Sequence, residues 1–171
     1  MRDEYTWAPR AMRRNDLAAV LEVQAACYPP EMREEAAVVL ARMAAAADTC
    51  IVATDREGVC AYLFAYPSRL GAVTPLGAEF AVADDPDTLY LHDLAVAPRA
   101  HGRGLARRLV GELLERARGR GIVASSLVSV QDTAVFWTAL GYVETGVDGP
   151  QARAALATYP GVARYMTRRL A

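Results

Sequence analysis

Apolar residues along this chain change their period several times, and each change predicts an element. Between positions 103 and 118, Leu105, Leu109, Leu113 and Ala117 recur every fourth residue with Val110 and Leu114 beside them. That is the stripe of an amphipathic helix, supported by a Glu112–Arg116 pair one turn apart and ended by Gly119 or Gly121. A shorter helical stripe, Leu17, Val20, Leu21 and Ala25, can be capped by Asn15 and is broken by Pro29-Pro30. Pro30 opens a second predicted helix through Met32, Ala36, Val39, Leu40 and Met43. Residues 50–54 and 59–66 read as two strands joined by the turn Asp55-Arg56-Glu57-Gly58. Residues 5–12, 89–96, 122–130, 142–146 and 162–170 read as further strands, with Pro98 stopping the second of these. Asp132 or Thr133 caps a short helix through Phe136-Trp137 to Leu140, and Gly141 terminates it. Residues 67–88, holding Gly71, Pro75, Gly77 and Pro86, form a long irregular connection of the kind that usually carries function.

This order predicts an α/β class fold, a mixed sheet with helices on its faces. With no repeat, low-complexity tract or linker, residues 1–171 are expected to form a single domain. Hydrophobic residues make up 53% and charged residues 23%, an ordinary globular balance. No apolar run approaches a membrane span, and positions 1–10 hold no apolar core for a signal peptide, so the expected compartment is the cytoplasm, with no membrane partner. Cys27, Cys50 and Cys60 form no CxxC pair and sit in apolar stretches, which predicts core thiols and no metal site. A net charge of −1 gives no basic field for nucleic acid. The charge is nevertheless uneven. Glu79, Asp84, Asp85, Asp87 and Asp93 run without a Lys or Arg, and positions 99–120 then carry seven arginines against two glutamates. Partners of opposite charge meeting at one place is the expectation this raises.

The most specific feature lies where strand 89–96 hands over to the long helix: Arg99-Ala-His101-Gly102-Arg103-Gly104-Leu105-Ala106. A helix start presents unpaired N–H groups and a positive dipole end, and glycines let a diphosphate approach the main chain. Arg99, Arg103, Arg107 and Arg108 add cationic charge. A nucleotide P-loop needs a lysine, and the chain has none. A dinucleotide fingerprint needs a third glycine where Arg107 stands.

Arg-x-x-Gly-x-Gly after Leu94-Ala95-Val96, with Ala134, Phe136-Trp137 and Leu140-Gly141-Tyr142 further on, resembles the GNAT family of N-acetyltransferases. The motif-level likeness runs from about position 89 to 143, and the rest matches in element order. It implies the GNAT acyl-CoA N-acyltransferase fold, a central, mostly antiparallel sheet with helices on both faces. It implies acetyl-CoA as co-substrate: the pantetheine arm along Leu94, Ala95 and Val96, the pyrophosphate on amides from His101 to Ala106, and Phe136 and Trp137 against the arm. The partner implied is a small-molecule amine, and the state a monomer or homodimer.

Acetylating an amine requires removing a proton from a group whose pKa is near about 10 and stabilising a thiolate. Both histidines of the chain flank the loop. Leu91-His92-x-Leu94-Ala95-Val96 is similar to the arylalkylamine branch of the family, where a histidine at the place of His92 deprotonates the amine through water; Tyr90 replaces a second histidine of that branch. The Cys27-Tyr28-Pro29-Pro30-Glu31 segment resembles its substrate-side loop. Strand alternation places Tyr90, His92 and Leu94 on one face and Asp93 on the other. His92 is thus the expected base, with Asp93 as a catalytic companion, and Tyr28, Glu79 and Tyr90 as substrate-side residues. Residues 67–93 are expected to form an acidic amine-side wall, and Tyr62, Tyr66 and Phe80 an aromatic surface or core. Trp137 stands where many relatives carry an acidic tyrosine, so the thiolate either leaves without a general acid or is served by Tyr142, Tyr159 or Tyr165. The rivals to a small-amine N-acetyltransferase are a protein or peptide N-acetyltransferase, a longer acyl donor, and a silent acyl-CoA-binding regulatory domain.

Overall fold

The computed structural model describes residues 7–170. Its strands are β1 (Arg10–Ala11), β2 (Cys50–Asp55), β3 (Gly58–Ser68), β4 (Thr88–Val96), β5 (Ala124–Ser129), β6 (Val143–Glu144) and β7 (Arg164–Arg169). The helices are α1 (Leu17–Cys27), α2 (Ala36–Ala45), α3 (Leu105–Gly119), α4 (Ala134–Ala139) and α5 (Pro150–Leu156). The strands form one seven-stranded sheet in the order β1-β2-β3-β4-β5-β7-β6, in which only β4 and β5 run parallel.

Alternation along β2 and β3 sorts the core onto two faces. Ile51, Leu63 and Ala65 join Leu105, Leu109 and Leu113 of α3 and Trp137 of α4. Cys50, Val52, Tyr62, Phe64 and Tyr66 join Val20 and Val23 of α1 and Val39 and Met43 of α2. The sheet is therefore covered on both sides, as its apolar runs require.

Three sequence expectations change. Of predicted strand 5–12, positions 5 and 6 lie outside the described residues and only Arg10–Ala11 pairs, with Val52 and Ile51. Asn15 caps nothing: it sits inside a 3₁₀ turn, Arg14–Asp16, fixed by Asp16 accepting from Arg10 (2.7 Å) and from the Arg13 N–H (2.7 Å). Pro30 does not open α2. It starts a 3₁₀ turn, Pro30–Met32, after which the backbone extends at Arg33 and Glu35 before α2 begins at Ala36. Helix α5 was not expected; its apolar residues are chiefly alanines, and only Pro150 at its first turn signalled it.

Candidate active site

β4 pairs with β5 only from Thr88↔Ala124 to Leu91↔Leu127, and beyond that point the strands part. Leu94 and Val96 line the opening. The Tyr28 hydroxyl lies 3.1 Å from Leu94 O, while the Cys27 thiol (3.2 Å) and His101 Nε2 (2.7 Å) lie on Val96 O. Ala95 instead spends its main chain in the β3 ladder opposite Tyr62. The opening holds a cavity of about 210 Å³ lined by Tyr28, His92, Leu94, Val96, Phe136 and Trp137 among others. Through Val96, Ala106 and Phe136 it continues into a recess of about 310 Å³ over the glycine loop. At its other end, Tyr28, His92 and Asp93 are shared with a chamber of about 30 Å³ closed by Met32, Glu34, Leu76 and Tyr159.

The recess has the chemistry of an anion cradle. Gly102 and Gly104 have φ of +75° and +74°, a region that side chains disfavour, and a Cβ built on either meets nothing within 4 Å. The first helical bond of α3 runs from Arg108 N to Gly104 O, so the N–H groups of Leu105, Ala106 and Arg107 end the helix without an intrahelical acceptor. His101, Leu105, Ala106 and Arg107 line the recess. Arg103 instead lies over the Trp7 ring, 5.7 Å from its centroid. Arg99 is turned away, donating to Asp55 (3.1 Å) and to Val59 O (3.0 Å) at the β2–β3 turn, which corrects its expected place beside a phosphate.

A bulge reorganises the stretch around His92. Phe64 pairs with Asp93 but Ala65 with Leu91, so His92 has no partner on β3 and the alternation slips by one residue. Leu91 and Leu94 both pack toward α3, Tyr90 packs toward α1, and His92 and Asp93 share that α1–α2 face. The expectation that Asp93 opposes His92 was therefore wrong, because strict alternation does not survive a bulge. The His92 side chain is 1% exposed and its Nε2 lies 3.0 Å from Glu34 Oε1. Its Nδ1 is buried with no hydrogen-bond partner among the described residues. The Asp93 carboxylate accepts from the hydroxyls of Tyr28 and Tyr62, both at 2.8 Å. Burial, assisted by the nearby Glu34 charge, raises its pKa against the pull of His92 and the two phenols. Tyr28 is pushed well above 10.0, by burial first and then by the Asp93 charge, and so keeps its proton.

Glu34, from the extended break before α2, was missed by sequence reasoning. The buried Gln24 amide clasps its main chain from both sides, donating to Glu34 O (3.2 Å) and accepting from Glu34 N (3.0 Å). The carboxylate accepts from Arg42 Nη1 (2.6 Å) and Nη2, from Gly77 N (2.8 Å) and from His92. Burial acts to raise its pKa, but the bonds from His92 and Arg42 outweigh that and hold it well below the ordinary carboxylate range. Arg42 also donates to Ala78 O (Nε, 3.0 Å) and lies over the Phe80 ring, 5.0 Å from its centroid. The available signal was Arg42 itself, set in the apolar stripe with Val39 and Met43, since an arginine on a core face needs a buried anion.

Other expectations move. Tyr90 is fully buried, with Thr74 N donating to its hydroxyl (3.3 Å), and does not line the cavity. Glu79 faces a separate cavity of about 550 Å³ that it shares with Asp148. Asp85 and Asp87 pair with Arg69 at 3.6 and 3.7 Å, so of the acidic run only Asp93 reaches the site. Tyr62, Tyr66 and Phe80 are core. Tyr142 bonds Ser125 (2.7 Å), Tyr165 accepts from Gly71 N (2.9 Å), and Tyr159 donates to Thr74 O (2.7 Å) at the small chamber, so none of the three expected acids lines the main cavity. Tyr28 does.

The model of the Acetyltransferase (GNAT) family matches residues 17–142. L-2,4-diaminobutyric acid acetyltransferase of Bordetella parapertussis is 32% identical over 118 residues, 66% of this chain and 53% of that protein. The enzyme of the same name from Chromohalobacter salexigens is 40% identical over 70 residues, 40% of this chain and 29% of that protein. The chain thus matches about half or less of the length of these curated relatives. Among solved structures, the GphF GNAT-like decarboxylase in complex with isobutyryl-CoA superposes with a TM-score of 0.77 at 20% identity, covering 96% of this chain and 100% of that one.

Proposed function

The chain belongs to the Acetyltransferase (GNAT) family, and from that premise we propose that it transfers the acetyl group of acetyl-CoA to a primary amine of a small molecule. The observation that carries this reading is the continuity of three spaces: an anion cradle at the start of α3, an open strand edge, and a small chamber where His92 meets Asp93 and Tyr28. The amides of residues 102–107 and Arg107 would hold the diphosphate, and Leu94 and Val96 would pair with the pantetheine arm as a neighbouring strand does. Acetyl-CoA supplies an activated acyl carbon and a thiolate leaving group.

His92 takes the proton of the ammonium, directly or through one water. The freed amine forms the C–N bond as the C–S bond breaks, the sulfur leaves with the electron pair, and the second proton, shed by the nitrogen as the amide forms, ends on the departing thiolate. Both partners are held in one ternary complex, where orientation lowers the barrier without a covalent enzyme intermediate. Tyr28, whose hydroxyl stays protonated beside Leu94 O, is the phenol that can donate to the departing sulfur. A small acceptor is favoured by the names of the two curated relatives.

The test is thiol release from acetyl-CoA against a panel of diamines, arylalkylamines, amino acids and peptides, repeated with propionyl- and succinyl-CoA. Acceptor-dependent release with small amines is expected. Saturable CoA binding without release for any acceptor would replace this reading with a regulatory acyl-CoA-binding domain, and release with peptides alone would replace it with a peptide acetyltransferase.

A further inference from the structure

We infer that Glu34 is the positioning residue of the catalytic base, fixing the proton of neutral His92 on Nε2 and leaving Nδ1 as the atom that accepts the proton of the amine. The inference rests on the reading of His92 as the base, and adds to it the atom, the tautomer and the residue that sets them.

An ionised carboxylate only accepts hydrogen bonds. Glu34 is kept ionised by Arg42, whose guanidinium is always charged and meets both carboxylate oxygens, and by the Gly77 N–H at 2.8 Å. A ring nitrogen 3.0 Å from Glu34 Oε1 must then carry the hydrogen, so Nε2 is the donor. In neutral imidazole the other nitrogen is bare, and Nδ1 is buried with no group among the described residues to donate to it. A buried acceptor without a donor is costly, unless a proton-bearing group arrives there in the working enzyme. The ring lines both the main cavity and the small chamber, where an acceptor amine or a bridging water would supply that donor.

The remaining groups facing the ring do not compete for Nδ1. Asp93 is taken by Tyr28 and Tyr62, the Tyr159 hydroxyl by Thr74 O, and the Phe80 and Tyr90 rings contribute faces and edges. When Nδ1 takes the proton, the imidazolium lies against a fixed carboxylate, which lowers the cost of the transfer without Glu34 itself exchanging a proton. The same logic orients histidine by a buried carboxylate in hydrolase triads. Two arrangements argue that this is placement rather than incidental packing. Gln24 reads the Glu34 main chain on both sides, and the chain interrupts helix formation to bring residue 34 inward.

The test uses the full chain labelled with ¹⁵N-histidine. Only two histidines are present, so His101→Asn assigns the spectrum. The wild type is expected to show the His92 proton on Nε2. In Glu34→Gln, Arg42 holds the amide oxygen and the amide NH₂ turns to Nε2, which drives the proton to Nδ1. With it kcat falls by about 10²-fold or more, as for loss of a general base, while KM for acetyl-CoA changes by less than about twofold. Glu34→Asp, which keeps the charge, recovers part of the rate and the wild-type tautomer. An Nδ1–H tautomer in the wild type overturns the inference, as does Glu34→Gln with unchanged tautomer and rate. If Glu34→Gln does not fold, the wild-type spectrum alone decides. A wild type that acetylates nothing but carries Nε2–H removes the transferase reading and leaves the tautomer assignment standing.

Discussion

The two ends of the cleft are built by opposite means. The recess over the glycine loop is made of main chain drawn from one short run of sequence: a strand end, two glycines in a left-handed region and the first turn of α3. The small chamber at the other end is made of side chains from segments far apart, with Glu34 and His92 separated by 58 positions and Tyr28 and Asp93 by 65. Main-chain recognition suits a diphosphate carried by every molecule of the donor, since it needs no particular side chain beyond glycine. The chemistry at the other end needs specific titratable groups held out of water, so it is assembled where the fold can bury and pair them. One end is a motif, the other a constellation.

That contrast makes damage to either end separable from the other. The largest effect is expected from His92→Ala. It removes the base and lowers kcat by about 10²–10⁴-fold, while CoA affinity measured by calorimetry stays within about twofold. Retained rates between about pH 6 and pH 9 in that variant would take His92 out of the mechanism. Next comes Arg42→Met, which leaves Glu34 buried without its counter-ion. Removing one partner of a buried pair costs about 3–5 kcal/mol, or a fall in Tm of about 10 °C for a domain this size. The pH dependence sharpens the point. Glu34 titrates well below its ordinary value of 4.5 in the folded chain, so the stability it contributes is present above that pH and drains as the pH falls below it. Asp93 is raised above 3.8 and works in the opposite sense, its burial cost relieved as it takes up a proton. Below about pH 4.5 the wild-type Tm should therefore fall more steeply than that of Arg42→Met, read by scanning calorimetry across that range.

The same contrast explains what the sequence discloses. The strand 89–96, the glycine loop and the four-residue stripe of α3 are local patterns, and each formed close to where it was expected, with α3 starting at Leu105. What was illegible is non-local. Nothing at position 92 announces a bulge, because the slip is defined by pairing with Phe64 and Ala65, almost 30 positions earlier in the chain. Glu34 reads as one more charged residue near a helix start until Arg42 and His92 are brought to it. The acidic run misled for a related reason: the charge of 79–93 is visible in sequence, but Arg69 neutralises part of it and Glu79 faces elsewhere. Burial and pairing, not the count of carboxylates, decide which acid reaches the site.

At the cofactor end the expected effects are smaller and fall on affinity alone. Gly104→Val places a β-branched side chain at φ +74° and fills open space above the loop. Loss of two charge-assisted main-chain bonds of about 1.5 kcal/mol each weakens CoA binding by about a hundredfold, with the His92 tautomer unaltered.

The smallest effect discriminates most sharply between motif and geometry. The sequence offers Arg99 and Arg107 alike as cations around the glycine loop, whereas the fold separates them. Arg107 lines the recess, and Arg99 is held by Asp55 and Val59 O on the β2–β3 turn. Arg107→Ala should weaken CoA binding about fivefold to tenfold, with an effect that shrinks as salt is raised. Arg99→Ala should leave that affinity within about twofold and cost at most about 1 kcal/mol of stability, the worth of an exposed ion pair. Equal losses in the two variants would mean that Arg99 abandons Asp55 when a diphosphate arrives. The cradle would then be completed by a side chain swinging in from the sheet edge rather than by main chain and Arg107 alone.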